Sequence, residues 1–358
     1  MVIPLPFMRR LTSALLFAVL AALLLAVVPG ARAELVWAPG TGWRVEGGAL
    51  APLLAGDDGR NALDLMNKAR AAEEAHHTRS AISQYNKVTK RYPNSIYAAE
   101  AYFRAAHLYQ QRKEYYKAFD SYLSIQQRYP NNEKFTQIVA EQYRIASLLL
   151  DGARPYMWGI IPGFKNRERA VEYFERIVAT APYSDYAPLS LMNVARGQKQ
   201  LGGTEEAIDA LDRMINTYPR SVLTPDAYLK IAQTHASLVD GPAYDQAATK
   251  EAITYYEDYL ILFPGDTGAA VAEKGLADMK RMLAQSKIVI ADYYLKYRKN
   301  YQAAKVFYNE AITVYPDSEV AAKAKVKLAE VEAHLAQQKP VPGAPPPIVP
   351  PKKKWLFF

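Results

Sequence analysis

The residues best suited to chemistry stand together in "EEAHH": Glu73, Glu74, His76 and His77. Carboxylates beside imidazoles can ligate a metal or relay a proton. Their spacing argues against both uses, because adjacent histidines on a helix point about 100° apart, whereas a shared metal needs an i, i+4 pair on one face. The stretch reads as polar residues at a helix end. His107, His235 and His334 are scattered along the chain and offer no triad; His235 reads as a packing position. There is no cysteine, which excludes thiolate catalysis, zinc–thiolate sites and iron–sulfur clusters built from this sequence. No glycine-rich loop leads into a lysine as phosphate binding requires. "GGTEEA" from Gly202 reads as a turn, a capping Thr204 and an acidic first helical turn. The 26 tyrosines could stack sugars or bases, yet many recur at packing positions. No catalytic residue, metal ligand or cofactor is assigned, and an enzyme is the least supported class.

The elements that would position any site are repeated. "RYPNSIYAAEAYFRAAHLY", residues 91–109, has counterparts that carry Pro130, Pro182, Pro219, Pro264 and Pro316 at the place of Pro93. Twelve residues before Pro93 and these five stand Ala81, Ala118, Ala170, Ala207, Ala252 and Ala304. Eight residues before them stand Tyr85, Tyr122, Phe174, Leu211, Tyr256 and Tyr308. A small and a large residue four apart share one helix face. The small one admits a neighbouring helix, the large one fills the space beside it, and proline ends the helix. This is the second helix of a tetratricopeptide repeat, and Tyr102, Ala106 and Tyr109, like Tyr228, Ile231, Ala232 and His235, fit its first helix. The fold class is therefore all-α: a tetratricopeptide-repeat α-solenoid of about six helical hairpins, with "SEVAAKAKVKLAEVEAHLAQQ" as a closing helix. Proline spacings of 37 to 52 residues exceed the period of about 34, so most units carry insertions, among them "DGARPYMWGIIPGFKN".

The ends differ in kind. Arg9 and Arg10, the apolar run Ala14 to Val28 and Ala31-Arg32-Ala33 predict a secretory signal peptide, residues 1–33, cleaved before Glu34. Residues 34–60, with two Trp and several Gly, read as an extended or hairpin-like segment; the repeats occupy 61–338. Residues 339–358 are a proline-rich tail tipped by Lys352, Lys353, Lys354, Trp355, Leu356, Phe357 and Phe358. The formal charge of +8 falls to +5 once Arg9, Arg10 and Arg32 leave, and the tail lysines hold three of those five. A near-neutral body excludes nucleic acid as a partner. The basic, aromatic tip suits weak tethering to an anionic leaflet, with Lys352, Lys353, Lys354, Trp355, Phe357 and Phe358 as the contact residues.

"SKIVIADYYLKYRKNYQAAKVFYNEAITVYPDSEVA", residues 286–321, is more specific than a generic repeat. A long charged helix, Ala291 to Tyr294, a short basic loop, Ala303-Ala304 and "YPDS" from Tyr315 resemble the C-terminal part of the BamD family, repeat lipoproteins of the outer-membrane β-barrel assembly machinery. The resemblance covers most of residues 61–335. It implies a non-catalytic periplasmic scaffold associated with the outer membrane. Unfolded outer-membrane protein precursors would be received near Glu100, Phe103, His107 and Gln110. The periplasmic domain of a β-barrel assembly subunit would dock at the last repeat and the loop of Tyr294, Lys296, Arg298 and Lys299. The sequence departs from the family in lacking the lipid-bearing Cys, in an additional repeat and in both terminal segments. The alternative is a periplasmic adaptor of the Tol-Pal system or of peptidoglycan coordination, although no heptad segment of the kind such proteins pair with their repeats is present.

Overall fold

Each of the six prolines follows a helix by two residues in the computed structural model, which describes residues 34–38, 42–46 and 56–337. These helices are α2 (Thr78–Arg91), α4 (Tyr115–Arg128), α6 (Arg167–Thr180), α8 (Thr204–Thr217), α10 (Ala247–Leu262) and α12 (Tyr301–Val314). The residue between helix and proline has φ between −124° and −146° in all six, because the proline ring bars the helical conformation to its predecessor. A tight turn follows, as in Ser95 N to Tyr92 O at 3.0 Å and Ser221 N to Tyr218 O at 3.0 Å.

Alternating with them are α1 (Gly56–Glu74), α3 (Ala98–Gln111), α5 (Phe135–Leu150), α7 (Tyr186–Leu201), α9 (Thr224–Ala236) and α11 (Ala269–Tyr293). Six helix pairs and a closing α13 (Glu319–Gln337) make the tetratricopeptide-repeat class that the periodicity predicts. Where no insertion intervenes, the turn inside a pair places one residue in the left-handed region: His76, Lys113, Gly202 and Lys299. His76 thus occupies a reversal position, the one that glycine fills at Gly202.

The chain divides into two compact units, with the boundary between Ser190 and Leu191 inside α7. In the first unit, Ala81 and Tyr85 are fully buried with Met66, Ala69, Ala101 and Ala105. An antiparallel hairpin of β1 (Glu34–Ala38) and β2 (Gly42–Glu46), with Trp37 opposite Trp43, packs on this cluster. Trp43 N donates to Asn67 Oδ1 at 2.8 Å, and the Arg70 guanidinium lies 4.2 Å from the Trp37 ring centroid. A second short hairpin, β3 (Tyr156–Met157) with β4 (Ile161–Pro162), stands in the connection between α5 and α6.

In the second unit, two clusters form around Tyr256 with Ala252 and around Tyr308 with Ala304. The six repeated alanines and their six large partners are all buried. Glycine matters in one helix interior: a Cβ on Gly275 would lie 2.3 Å from Tyr256 Cζ. Alanine is favoured over glycine in a helix by about 1 kcal/mol, but overpacking a core contact costs about 1–3 kcal/mol. Gly275→Ala is therefore expected to lower the urea midpoint, and a raised midpoint would mean that the Tyr256 ring yields freely.

Two readings of local structure are corrected. Thr204 does not cap α8; Gly203 holds the N-cap position and no side chain bonds there. The basic segment after Tyr293 is not a loop, because Tyr294–Arg298 continues α11 as one π-helical turn. The chain reverses only at Lys299, after which the Asn300 side chain caps α12 by accepting from Ala303 N at 3.0 Å.

Candidate partner-binding surfaces

Helix α3 carries the first group of candidate contacts, and its neighbours decide which of them are available. Glu100 is nearly buried: it accepts from Arg104 Nε at 2.8 Å and is paired with Lys134. Gln110 is buried as well, donating to Glu141 Oε2 at 2.8 Å and accepting from the Tyr122 hydroxyl at 3.3 Å. Both side chains are satisfied within the unit. Phe103 is half-buried, edge-on to the Tyr122 ring at 5.9 Å, with Lys134 Nζ 4.5 Å from its centroid. His107 is also half-buried. The face has a connected charge system in which Arg104 joins Glu100 to Glu73, and Glu73 also takes Arg70. Lys134, at the N-cap of α5, and Glu141, within α5, lie 34 and 31 residues beyond their partners. Their contribution carries no local sequence signal.

Of the cluster read first, only Glu73 is taken up by packing; Glu74, His76 and His77 are exposed. Glu73 accepts the Tyr85 hydroxyl at 2.8 Å, and burial together with that carboxylate pushes the Tyr85 phenol far above its ordinary value. Among the described residues, no three His, Asp or Glu side chains are grouped to hold a metal ion. His235 lies stacked on Tyr255, and burial lowers its pKa.

The second group sits around the π-helical turn. Tyr294 faces inward, stacked on Phe307 with 5.5 Å between centroids and 7° between planes, so it supports the turn. Lys296, Arg298 and Lys299 are exposed. Lys296 Nζ reaches Asp292 Oδ2 at 3.7 Å, whereas Arg298 and Lys299 have no ion pair among the described residues. Sequence reasoning missed the exposed rings of Tyr293 and Tyr297, which pack 5.8 Å apart beside these cations. Their i, i+4 spacing on the continued helix was the available signal.

Asp292 anchors the turn to the closing helix. It accepts from Lys327 Nζ at 2.6 and 2.7 Å and from the Tyr308 hydroxyl at 2.5 Å. Burial raises its pKa, but the Lys327 and Tyr308 hydrogen bonds outweigh burial and hold the carboxyl below the ordinary value. A depressed carboxylate stabilises the fold above its unfolded pKa and loses that contribution as pH falls through the folded value. The stability difference between the wild type and Asp292→Asn is expected to be constant at neutral pH and to shrink below about pH 4. A difference that stayed constant down to pH 2 would show that the ion pair is not what Asp292 contributes.

Residues 164–324 match the sequence profile of a family described as YfiO, outer membrane lipoprotein. Over that segment the chain is BamD-like, within a tetratricopeptide-repeat fold. It is 26% identical over 175 residues to the outer membrane protein assembly factor BamD of Xylella fastidiosa, covering 46% of this chain and 60% of that one. To the BamD of Caulobacter vibrioides it is 30% identical over 132 residues, covering 37% and 43%. The chain thus spans three fifths or less of the length of these two BamD relatives. Among solved structures, a tetratricopeptide repeat protein from Parabacteroides merdae is similar at 13% identity and a TM-score of 0.30, covering 76% of this chain and all of that one. The BamD-like segment runs from just before α6 into α13 and includes the π-helical turn. Residues 1–33, read as a signal peptide, and the tail residues Lys352, Lys353, Lys354, Trp355, Phe357 and Phe358 lie outside the described residues.

Proposed function

We propose that this chain is a non-catalytic periplasmic scaffold at the outer membrane that holds protein partners during assembly of β-barrel proteins. The observation that carries this reading is the BamD-like match over residues 164–324, which contains an exposed turn with two rings and three cations. The turn presents Tyr293, Tyr297, Lys296, Arg298 and Lys299 on a rigid helical extension held by Asp292 and Tyr294. Such a surface suits an acidic, folded partner: the rings supply contact area at low entropic cost and the rim charges steer the approach. The partner on this reading is the periplasmic domain of a barrel-assembly subunit.

The α3 face serves a different ligand. Phe103 and His107 are its reachable contacts, while Glu100 and Gln110 hold Lys134 and Glu141 in place around them. An unfolded barrel precursor alternates apolar and polar side chains, and the Phe103 ring beside the Lys134 ammonium offers one contact of each kind.

Mild crosslinking of the native envelope followed by capture of this protein tests the reading. Recovery of a barrel-assembly subunit is the expected result; recovery of Tol-Pal components in its place would transfer the chain to envelope coordination.

A further inference from the structure

The connection between α5 and α6 ends in a tip that no repeat covers. Met157, Trp158, Ile160, Ile161 and Phe164 stand within eight residues, and their exposure runs from 43% at Ile161 to 92% at Phe164. Single exposed apolar residues are ordinary, but a contiguous group is not. The tip is also preformed. Trp158 and Gly159 have φ of 53° and 68°, and Ile160 N donates to Met157 O at 3.2 Å, a tight reversal with both central residues left-handed. Its base is fixed to the α3–α4 turn, where Tyr156 N donates to Lys113 O at 2.8 Å, and Arg112 of the same turn donates to the Trp158 carbonyl at the reversal itself.

We infer that this hairpin is a membrane-contact element that inserts its apolar tip at the interface of an anionic bilayer. Two observations choose lipid over a protein groove. Met157 and Ile161, paired across the two strands, and Trp158 and Ile160 in the turn that joins them are all exposed. A tip exposed in strands and turn alike fits a medium that surrounds it, whereas a docking strand buries one face. The second is charge: from Gly152 to Arg167 the segment carries Arg154, Lys165 and Arg167 and no acid. Cations flanking an apolar tip lie at headgroup depth when tryptophan sits at the interface, and each contributes about fivefold in partitioning to anionic lipid. Among the described residues no helix is long and apolar enough to cross a membrane, so attachment here is peripheral. The inference is independent of the assembly reading and of the C-terminal tail.

The test uses the exported protein, intact and with residues 352–358 deleted, in flotation with vesicles of phosphatidylcholine alone or mixed with phosphatidylglycerol. Both forms are expected to float with the anionic vesicles at low salt. Replacing Met157, Trp158 and Ile161 together by Ser should weaken binding of the deleted form by more than tenfold. Brominated lipids should quench the tryptophan emission of the deleted form, and Trp158→Phe should abolish that quenching while vesicle binding persists, since Trp37 and Trp43 are packed on α1. Circular dichroism melts check that each variant is folded. Failure of the deleted form to float would overturn the inference, as would quenching that survives Trp158→Phe. Self-association abolished by the Ser variant, without vesicle binding, would reassign the tip to a second copy of the chain.

Discussion

Tyr85→Ala is expected to destabilise the first unit by about 3–5 kcal/mol, the range for emptying a buried aromatic site. The Tyr85 ring is fully buried among Ala81, Ala101 and Ala105, small residues that cannot collapse into the space it would leave. Tyr85→Phe separates ring from hydroxyl. It removes one hydrogen bond to Glu73, a net loss of about 0.5–1.5 kcal/mol, and Glu73 keeps Arg70 and Arg104 as partners. Urea denaturation of the two variants should place alanine well below phenylalanine. Equal losses would mean that the Glu73 network, and not the ring, holds the repeat together.

That hierarchy explains what the sequence disclosed. Ala81, Tyr85 and Pro93 recur because each repeat must solve the same close-packing problem, so their types and spacing are printed six times. Glu100 and Gln110 look like free groove residues in sequence. They are satisfied by Lys134 and Glu141, whose arrival depends on how α5 packs beside α3. The π-helical turn at Tyr294–Arg298 was hidden for a related reason. Lysine and arginine after a long helix read equally as a loop or as one more turn, and stacking of Tyr294 on Phe307 across the pair selects the turn. His76, read in the sequence as a polar residue at a helix end, stands at the reversal after α1 with a left-handed backbone, as Gly202 does after α7. Glu100, Gln110 and the turn were thus each decided by a contact that comes from another element, whereas the Thr204 cap was a local misplacement by one residue.

Reversing Lys296, Arg298 and Lys299 to Glu is expected to have the largest effect on partner binding. The substitution changes the local charge by six, and among the described residues only Lys296 of the three has an ion pair, a long one to Asp292. The fold should therefore be retained. Association with an acidic partner should slow by about tenfold or more at low salt, because steering acts on the encounter rate. The gap should narrow as salt rises, since at about 0.15 M exposed charges are screened beyond roughly 8 Å. Stopped-flow or surface-resonance kinetics at two ionic strengths distinguish this from loss of a direct contact, which would raise the dissociation rate and persist in salt.

The central claim, that the turn after α11 is where this BamD-like chain holds a barrel-assembly partner, is tested most directly by a photo-crosslinking residue in place of Tyr297 in the native envelope. Tyr297 is 78% exposed and lies next to the three cations. The account predicts an adduct with the periplasmic domain of a barrel-assembly subunit, lost when Lys296, Arg298 and Lys299 are reversed. The same adduct at undiminished yield after reversal would contradict it, and so would an adduct confined to other envelope proteins.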